Sequence, residues 1–403
     1  MDSLVLVVFA LVYLGMILGG LPGWKLDRTG VALLGAITLI AAERVSPAEA
    51  WGSIDAATLA LLFGLMVVSA QFQFSGTYAV LARRLAHARG SPPLLLFYLC
   101  LAAGGLSALL TNDVVCLAMA PILIEGCAER KLDPKPFLFG LAASANVGSA
   151  ATLIGNPQNI LIGQALELDF AGYLKDGGVP ALAGVLATWA VIAWLWRGKW
   201  AGETPKPKLE AQTLDRWQGA KAWALLGALV VGFVAGGVPR EALALAAAGI
   251  VLLSRTRATT RFLGSVDWEL LVLFMGLFVV NHSLQASGAS AAGLDWLVAH
   301  GVDLSQPVTL FVVIVLASNV IGNVPAIMLV LPAATHPDAG PILAVASTLA
   351  GNLFVVGSIA NLIVIDQAAK LGVKIGWREH ARVGVPVTLV TLALAALWLW
   401  LRT

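Results

Sequence analysis

Charge is scarce in this chain: Asp, Glu, Lys and Arg make up 12% of 403 residues, against ~25% in an average soluble domain. That excludes a soluble globular protein or a charged disordered chain. Cysteine is scarcer, at 3 residues, too few for a disulfide framework. The formal net charge is only +2, from 25 basic and 23 acidic residues, too balanced to call for nucleic acid or another polyanion. No Gly-rich phosphate loop ending in Lys-Ser/Thr occurs, so ATP is not the direct driver. Nothing basic precedes the apolar run 4–20, so that run is expected to be retained as a span and not cleaved as a signal peptide.

What is abundant is apolar sequence: 59% of residues are hydrophobic, with mean hydropathy +0.87. A spanning helix needs about 20 mostly apolar residues. Ten segments are candidates: 4–22, 29–42, 55–75, 136–163, 178–196, 220–238, 241–254, 267–287, 341–366 and 382–401, of which 29–42 and 241–254 are short. Two others, 92–128 and 307–333, are interrupted near their middles, by Thr111-Asn112-Asp113 and by Ser318-Asn319 through Gly322-Asn323-Val324-Pro325. Both read as re-entrant helical hairpins, because non-helical backbone at depth is tolerated only where protein or a cavity surrounds it. The expected fold is an all-α polytopic membrane protein with ten spans and two hairpins.

Ten crossings put both termini outside. The cytoplasmic side then holds 21 of the 25 Lys and Arg residues, including Lys25, Arg28, Lys206, Lys208 and Arg255, as the positive-inside rule requires. Segment 77–90, with Arg83, Arg84 and His87, reads as an interfacial helix on that side. Trp194, Trp196, Trp200, Trp398 and Trp400 read as interfacial anchors.

The chain repeats itself. Asp55, Gly64, Ser75 and Gly76 recur at offset 212 as Asp267, Gly276, Ser287 and Gly288. Asn112 and Pro121 recur at offset 211 as Asn323 and Pro332, and Gly155 and Asn159 at offset 202 as Gly357 and Asn361. The units are 1–196 and 220–403, joined by a polar cytoplasmic linker at 197–219. Five crossings per unit invert the second copy, the signature of secondary transporters with a midplane site.

Four polar clusters are candidates for that site. The hairpin tips offer Thr111, Asn112 and Asp113, then Ser318, Asn319 and Asn323. The helix breaks offer Gly155, Asn156, Pro157 and Asn159, then Gly357, Ser358 and Asn361. Asn146 and Asn352 lie one or two turns before the breaks. Gly lets a helix unwind, Pro removes a donor, and half-helix N-termini present free N–H groups to an anion. Unwound carbonyls suit Na⁺, so Asn112, Asp113 and Asn323 are candidate ion ligands. Asp113 is the one deep ionisable residue. Burying its charge costs about 2.5–3.5 kcal/mol on insertion scales, which a helix N-cap role would only partly offset, at ~1 kcal/mol. With no Lys or Arg deep in a span, a bound anion is expected to rely on amides, hydroxyls, helix ends and a co-bound cation. A neutral polyol-like solute such as arsenous acid would suit the same surface. His282, Glu125, Glu167, Asp366 and the three cysteines are weaker candidates.

The stretches TNDVVCLAMAPILI, SANVGSAATLIGNPQNILIG, SNVIGNVPAIMLVLP and AGNLFVVGSIANLIV resemble the ion transporter superfamily. The branch they resemble is that of citrate-transporter-like and arsenical-pump membrane permeases; the divalent anion:sodium symporters are more distant. The resemblance implies a secondary transporter in the cell (inner) membrane, homodimeric, with an elevator-like transport domain built on the hairpins. The Thr-Asn-Asp tip resembles the arsenical-pump side and departs from the Ser-Asn-Thr of sodium–dicarboxylate symporters, so proton coupling through Asp113 is expected. The expected solute is a small anion or oxyanion, a carboxylate such as citrate or arsenite, coupled to H⁺ or Na⁺ with no cofactor. A sodium/proton antiporter with Asp113 as its site is the alternative. An intramembrane enzyme would need a nucleophile–base pair or metal cluster at depth, and a passive channel would not be concentrative.

Overall fold

The computed structural model describes residues 2–202, 213–254 and 257–402. Lys206, Lys208 and Arg255 of the basic count, and part of the linker, lie outside the described residues. The first half begins with α1 (Ser3–Leu18), a two-stranded hairpin pairing Gly20–Leu21 with Leu26–Asp27, and α2 (Arg28–Ala41). Then come α3 (Pro47–Ser53), α4 (Ala56–Phe74), α5 (Thr77–Ala86), α6 (Pro92–Leu109) and α7 (Asn112–Glu129). It ends with α8 (Lys135–Ser149), α9 (Pro157–Ala165) and α10 (Phe170–Leu195).

The second half starts with α11 (Arg216–Ala235), α12 (Arg240–Leu252), α13 (Thr259–Leu263), α14 (Trp268–Ala286) and α15 (Ala289–Ala299). It continues with α16 (Pro307–Ile321), α17 (Asn323–Val330) with a 3-10 turn at Leu331–Ala333, α18 (Ala339–Ala350), α19 (Ile359–Lys370) and α20 (Trp377–Arg402).

Among the described residues six helices, α4, α6, α10, α11, α14 and α20, are long and apolar enough to cross a membrane. The spans expected at 4–22, 29–42 and 241–254 form helices of 16, 14 and 13 residues. Those expected at 136–163 and 341–366 are each two half-helices. Helix α6 belongs to the six although it forms one arm of the first hairpin, so length alone does not tell a returning hairpin from two crossings there. The short helices α3, α13 and α15 and the strand pair are additions to the sequence reading. Trp196 and Trp200, read as interfacial anchors, pack inward on Phe139 and Phe137; Trp194 is exposed as expected.

Capping explains one repeated residue pair. Asp55 Oδ1 accepts from Thr58 N at 3.0 Å and Asp267 Oδ1 from Leu270 N at 2.9 Å, starting α4 and α14. Packing explains another. Helix α2 lies along α14 and α12 along α4. A Cβ on Gly64 would meet the Ala244 backbone at 2.6 Å, and one on Gly276 the Ala32 backbone at 2.7 Å. Each glycine lets two helix backbones touch.

The helices sort into two packed groups. In one, α1 packs on α2 and α11 on α4, beside the α2–α14 and α4–α12 pairs. In the other, α6 packs on α8, α16 on α18, α7 on α19, and α10 on both α8 and α20. Apolar residues of α1, α11 and α20 such as Leu11, Val231 and Leu389 stay exposed, a surface that suits lipid.

Candidate functional site

Each half has one broken helix. Between α8 and α9 the chain unwinds, and Asn156 Oδ1 accepts from Asn159 N at 2.9 Å to start α9. Pro157 takes the first helical position, where no donor is needed. A side chain on Gly155 would overlap the Ser149 carbonyl oxygen, so only glycine fits. Asn159 Nδ2 donates to Thr152 O at 2.9 Å and lies near Tyr173 Oη at 3.3 Å. In the second half Asn361 Nδ2 donates to Gly351 O at 3.0 Å and Phe354 O at 3.3 Å. Asn159 and Asn361 therefore brace their own breaks.

The two breaks also hold each other. Asn146 Nδ2 donates to Asn352 Oδ1 at 3.2 Å and to Thr348 O at 3.0 Å. Ser358 Oγ donates to Asn146 Oδ1 at 3.3 Å. In return, the Thr348 hydroxyl accepts from Asn156 Nδ2 at 3.0 Å and from Gln158 Nε2 at 3.3 Å. Buried amides satisfied in this way stiffen the centre of the molecule.

One cavity of about 90 Å³ gathers the four clusters. The first tip contributes Asn112 and Asp113; the second contributes Gly322 and Asn323. Asn146, Asn156, Pro157 and Gln158 come from the first break, Gly357 and Ser358 from the second. The side-chain carbonyls of Asn112 and Asn323 are buried and have no hydrogen-bond partner among the described residues. Two residues with unpaired acceptors, one from each hairpin, thus line one cavity. Asp113 sits in the first turn of α7 behind the cap position Thr111, so it is not the N-cap.

The other expected site residues lie elsewhere. Gly155, Asn159, Asn352 and Asn361 shape or brace the breaks without lining the cavity. Asn319 Nδ2 donates back to Val315 O at 2.9 Å within its own helix, and buried Ser318 does not line the cavity either. Thr111 lines a different cavity, as does His282, with Asp55 and Asn281. Cys100, Cys116 and Cys127 are buried and line no part of the central cavity.

One residue corrects the sequence reading. Arg28, assigned there to a cytoplasmic loop, lines the central cavity. Its Nε donates to Met16 O at 3.1 Å, and its Nη1 would be 3.9 Å from a Cβ on Gly322. The bond to the Met16 carbonyl holds this side chain beside the second tip. The site therefore carries a formal cation, although no Lys or Arg lies deep in an expected span.

Interrupted helices meeting at a small polar cavity inside an apolar helical body define a multi-pass membrane transporter. The sequence profile of the citrate transporter family matches residues 4–350, and the chain belongs to that family. It is 29% identical to the silicon efflux transporter LSI3 of Oryza sativa subsp. japonica, over 96% of this chain and 95% of that one. It is 31% identical to the inner membrane protein YbiR of Escherichia coli (strain K12), over 82% of this chain and 85% of that protein. The YdaH transporter of Alcanivorax borkumensis superposes with a TM-score of 0.57 over 99% of this chain and 96% of that one, at 18% identity. That likeness concerns the fold alone. The chain is thus a transporter and not an enzyme.

Proposed function

We propose that this protein is an ion-coupled secondary active transporter of a small anion or oxyanion-forming solute. The observation that carries the reading is the central cavity, where Arg28 stands with both hairpin tips and both helix breaks. A guanidinium and half-helix N-termini attract negative charge. The unpaired carbonyls of Asn112 and Asn323 suit solute hydroxyls or a co-bound Na⁺. Asp113, in the same wall, suits H⁺ or Na⁺ coupling.

Size supports the smaller solutes. The cavity's 90 Å³ is several times the ~10–15 Å³ that a single water needs. Arsenite or silicic acid, with four or five heavy atoms, fits that room better than citrate. The rice relative, a silicon efflux transporter, adds silicic acid to the solutes worth offering.

The two helix groups support an elevator motion, with the hairpin-bearing group sliding against the one around α2, α4, α12 and α14. The matching order of ten helices in each half supports an inverted repeat; the homodimer, the outside termini and the cell-membrane location are proposed from the resemblance and from the distribution of basic residues. Flux into proteoliposomes tests the reading, with arsenite, silicic acid, succinate and citrate offered under an imposed H⁺ or Na⁺ gradient. Concentrative movement of any of these that is lost in Asp113→Asn is the expected result. Sodium-driven proton flux with no solute movement would replace this reading by the sodium/proton antiporter.

A further inference from the structure

Asp113 lines two cavities. One is the central cavity that also holds Arg28. The other, of about 350 Å³, is lined by Thr111, Asp113, Gln73, Ser265 and Asp267 among apolar neighbours. Among the described residues no Lys, Arg or His lines it. Its polar groups are carboxylates, hydroxyls and an amide, the hard oxygen donors a hydrated monovalent cation prefers. They also grade inward. Asp267 is exposed at the head of α14, Ser265, Gln73 and Asp113 are half-buried, and Thr111 is 6% exposed.

Thr111 gives an independent sign of a ligand. Its hydroxyl is buried and has no hydrogen-bond partner among the described residues, a state that costs free energy unless something else satisfies it. The corresponding place in the other half has a cavity of about 280 Å³ lined by Asp55, Asn281, His282 and Gln285. That one shares no lining residue with the central cavity, whereas the Asp267 cavity shares Asp113, Pro157 and Leu270 with it.

We propose that the Asp267 cavity is the access path of the coupling cation, separate from the solute's path and ending at Thr111 and Asp113. The proposal rests on the transport reading above. The electrostatics divide the work: Arg28 favours anions in the central cavity, Asp267 favours cations in the second, and Asp113 is the wall between them. By the distribution of basic residues, Asp267 lies at the cytoplasmic end.

The experiment uses the full chain in proteoliposomes. Ser265→Cys places a thiol in the path, and the native cysteines are buried. It is treated with a trimethylammonium or a sulfonate methanethiosulfonate reagent. The cationic reagent is expected to react about tenfold faster, and Asp267→Asn to erase the preference. Asn caps a helix as well as Asp does, so α14 keeps its start. In flux assays Asp267→Asn raises the half-saturating ion concentration about tenfold and the half-saturating arsenite concentration less than about twofold. A pH gradient and a Na⁺ gradient, imposed separately, distinguish proton from sodium. Equal reaction with both reagents, or ion saturation unchanged in Asp267→Asn, overturns the path. A wild type that moves none of the offered solutes overturns the transport reading instead, while the thiol chemistry still judges the cavity.

Discussion

Asn146 and Asn352, 206 positions apart, join side chain to side chain at 3.2 Å in the centre of the molecule. Asn146 sits on the helix that precedes the first break and Asn352 in the second break, just past the end of α18, so this contact ties the two halves of the chain across the site. Asn146 faces the cavity and Asn352 stands behind it, with its Nδ2 donating to Ala143 O at 3.3 Å. The carbonyl of Asn352 also lies 3.2 Å from His380 Nε2. Asn352→Ala removes the amide and leaves the buried Asn146 donor with only Thr348 O. The expected cost is about 1–3 kcal/mol. Thermal unfolding in detergent reads it, and a wild-type midpoint would show the pair to be dispensable.

Arg28 separates charged from neutral solutes. Arg28→Gln should cost an anionic solute about 1.5–3 kcal/mol, roughly 10–150-fold in half-saturation. A solute carried as the undissociated acid should shift less than about twofold. Flux against solute concentration at fixed pH decides between them. An anion unaffected by the substitution would remove Arg28 from the site.

The two break glycines should differ. A methyl on Gly155 runs into the Ser149 carbonyl, whereas one on Gly357 meets Gly351 O at 2.9 Å. Both strain the backbone, at about 1–3 kcal/mol or more. Gly155→Ala should be the worse, read as loss of monodisperse protein on size exclusion. The reverse order would argue against this backbone path.

Tyr13 links the two helix groups. Its hydroxyl donates to Asn281 Oδ1 at 2.9 Å and reaches Pro325 O at 3.4 Å. If the hairpin group slides, that link must break. Tyr13→Phe should therefore raise maximal turnover about two- to tenfold, the equivalent of one ordinary hydrogen bond. Tyr13 does not line the cavity, so the half-saturating solute concentration should stay close to wild type. A change confined to that concentration would place Tyr13 in solute binding instead.

Inversion of the repeat is open to labelling. Arg84 on α5 and Trp296 on α15 are both exposed. Single cysteines there should react with an impermeant maleimide from opposite faces of the membrane. Labelling from one face would rule out the inverted arrangement.

Much of the fold is legible in the sequence alone. The interruptions at Thr111-Asn112-Asp113, Gly155–Asn159, Gly322-Asn323 and Gly357–Asn361 each became a real break between helices. Polar residues stand out against a lipid-facing sequence because each one carries a cost. Asp55 and Asp267 repeat because each starts a long helix, and Gly64 and Gly276 because each admits a crossing backbone. The short helices α3, α13 and α15 are too brief for a periodic signal.

The sequence by itself determined that the chain belongs in a bilayer, where its helices break, and which polar residues gather at the breaks. These are local properties of hydropathy and backbone chemistry. Only the tertiary structure decided which of those residues face the cavity and which brace it. Asn159 and Asn361 read like Asn112 and Asn323 in the sequence, yet the first pair spends its amides on carbonyls and the second keeps side-chain oxygens unpaired. Arg28 reads as a loop charge beside a short span, yet in the fold it lines the central cavity. Side-chain direction depends on contacts made by residues hundreds of positions away, and local pattern does not encode those contacts.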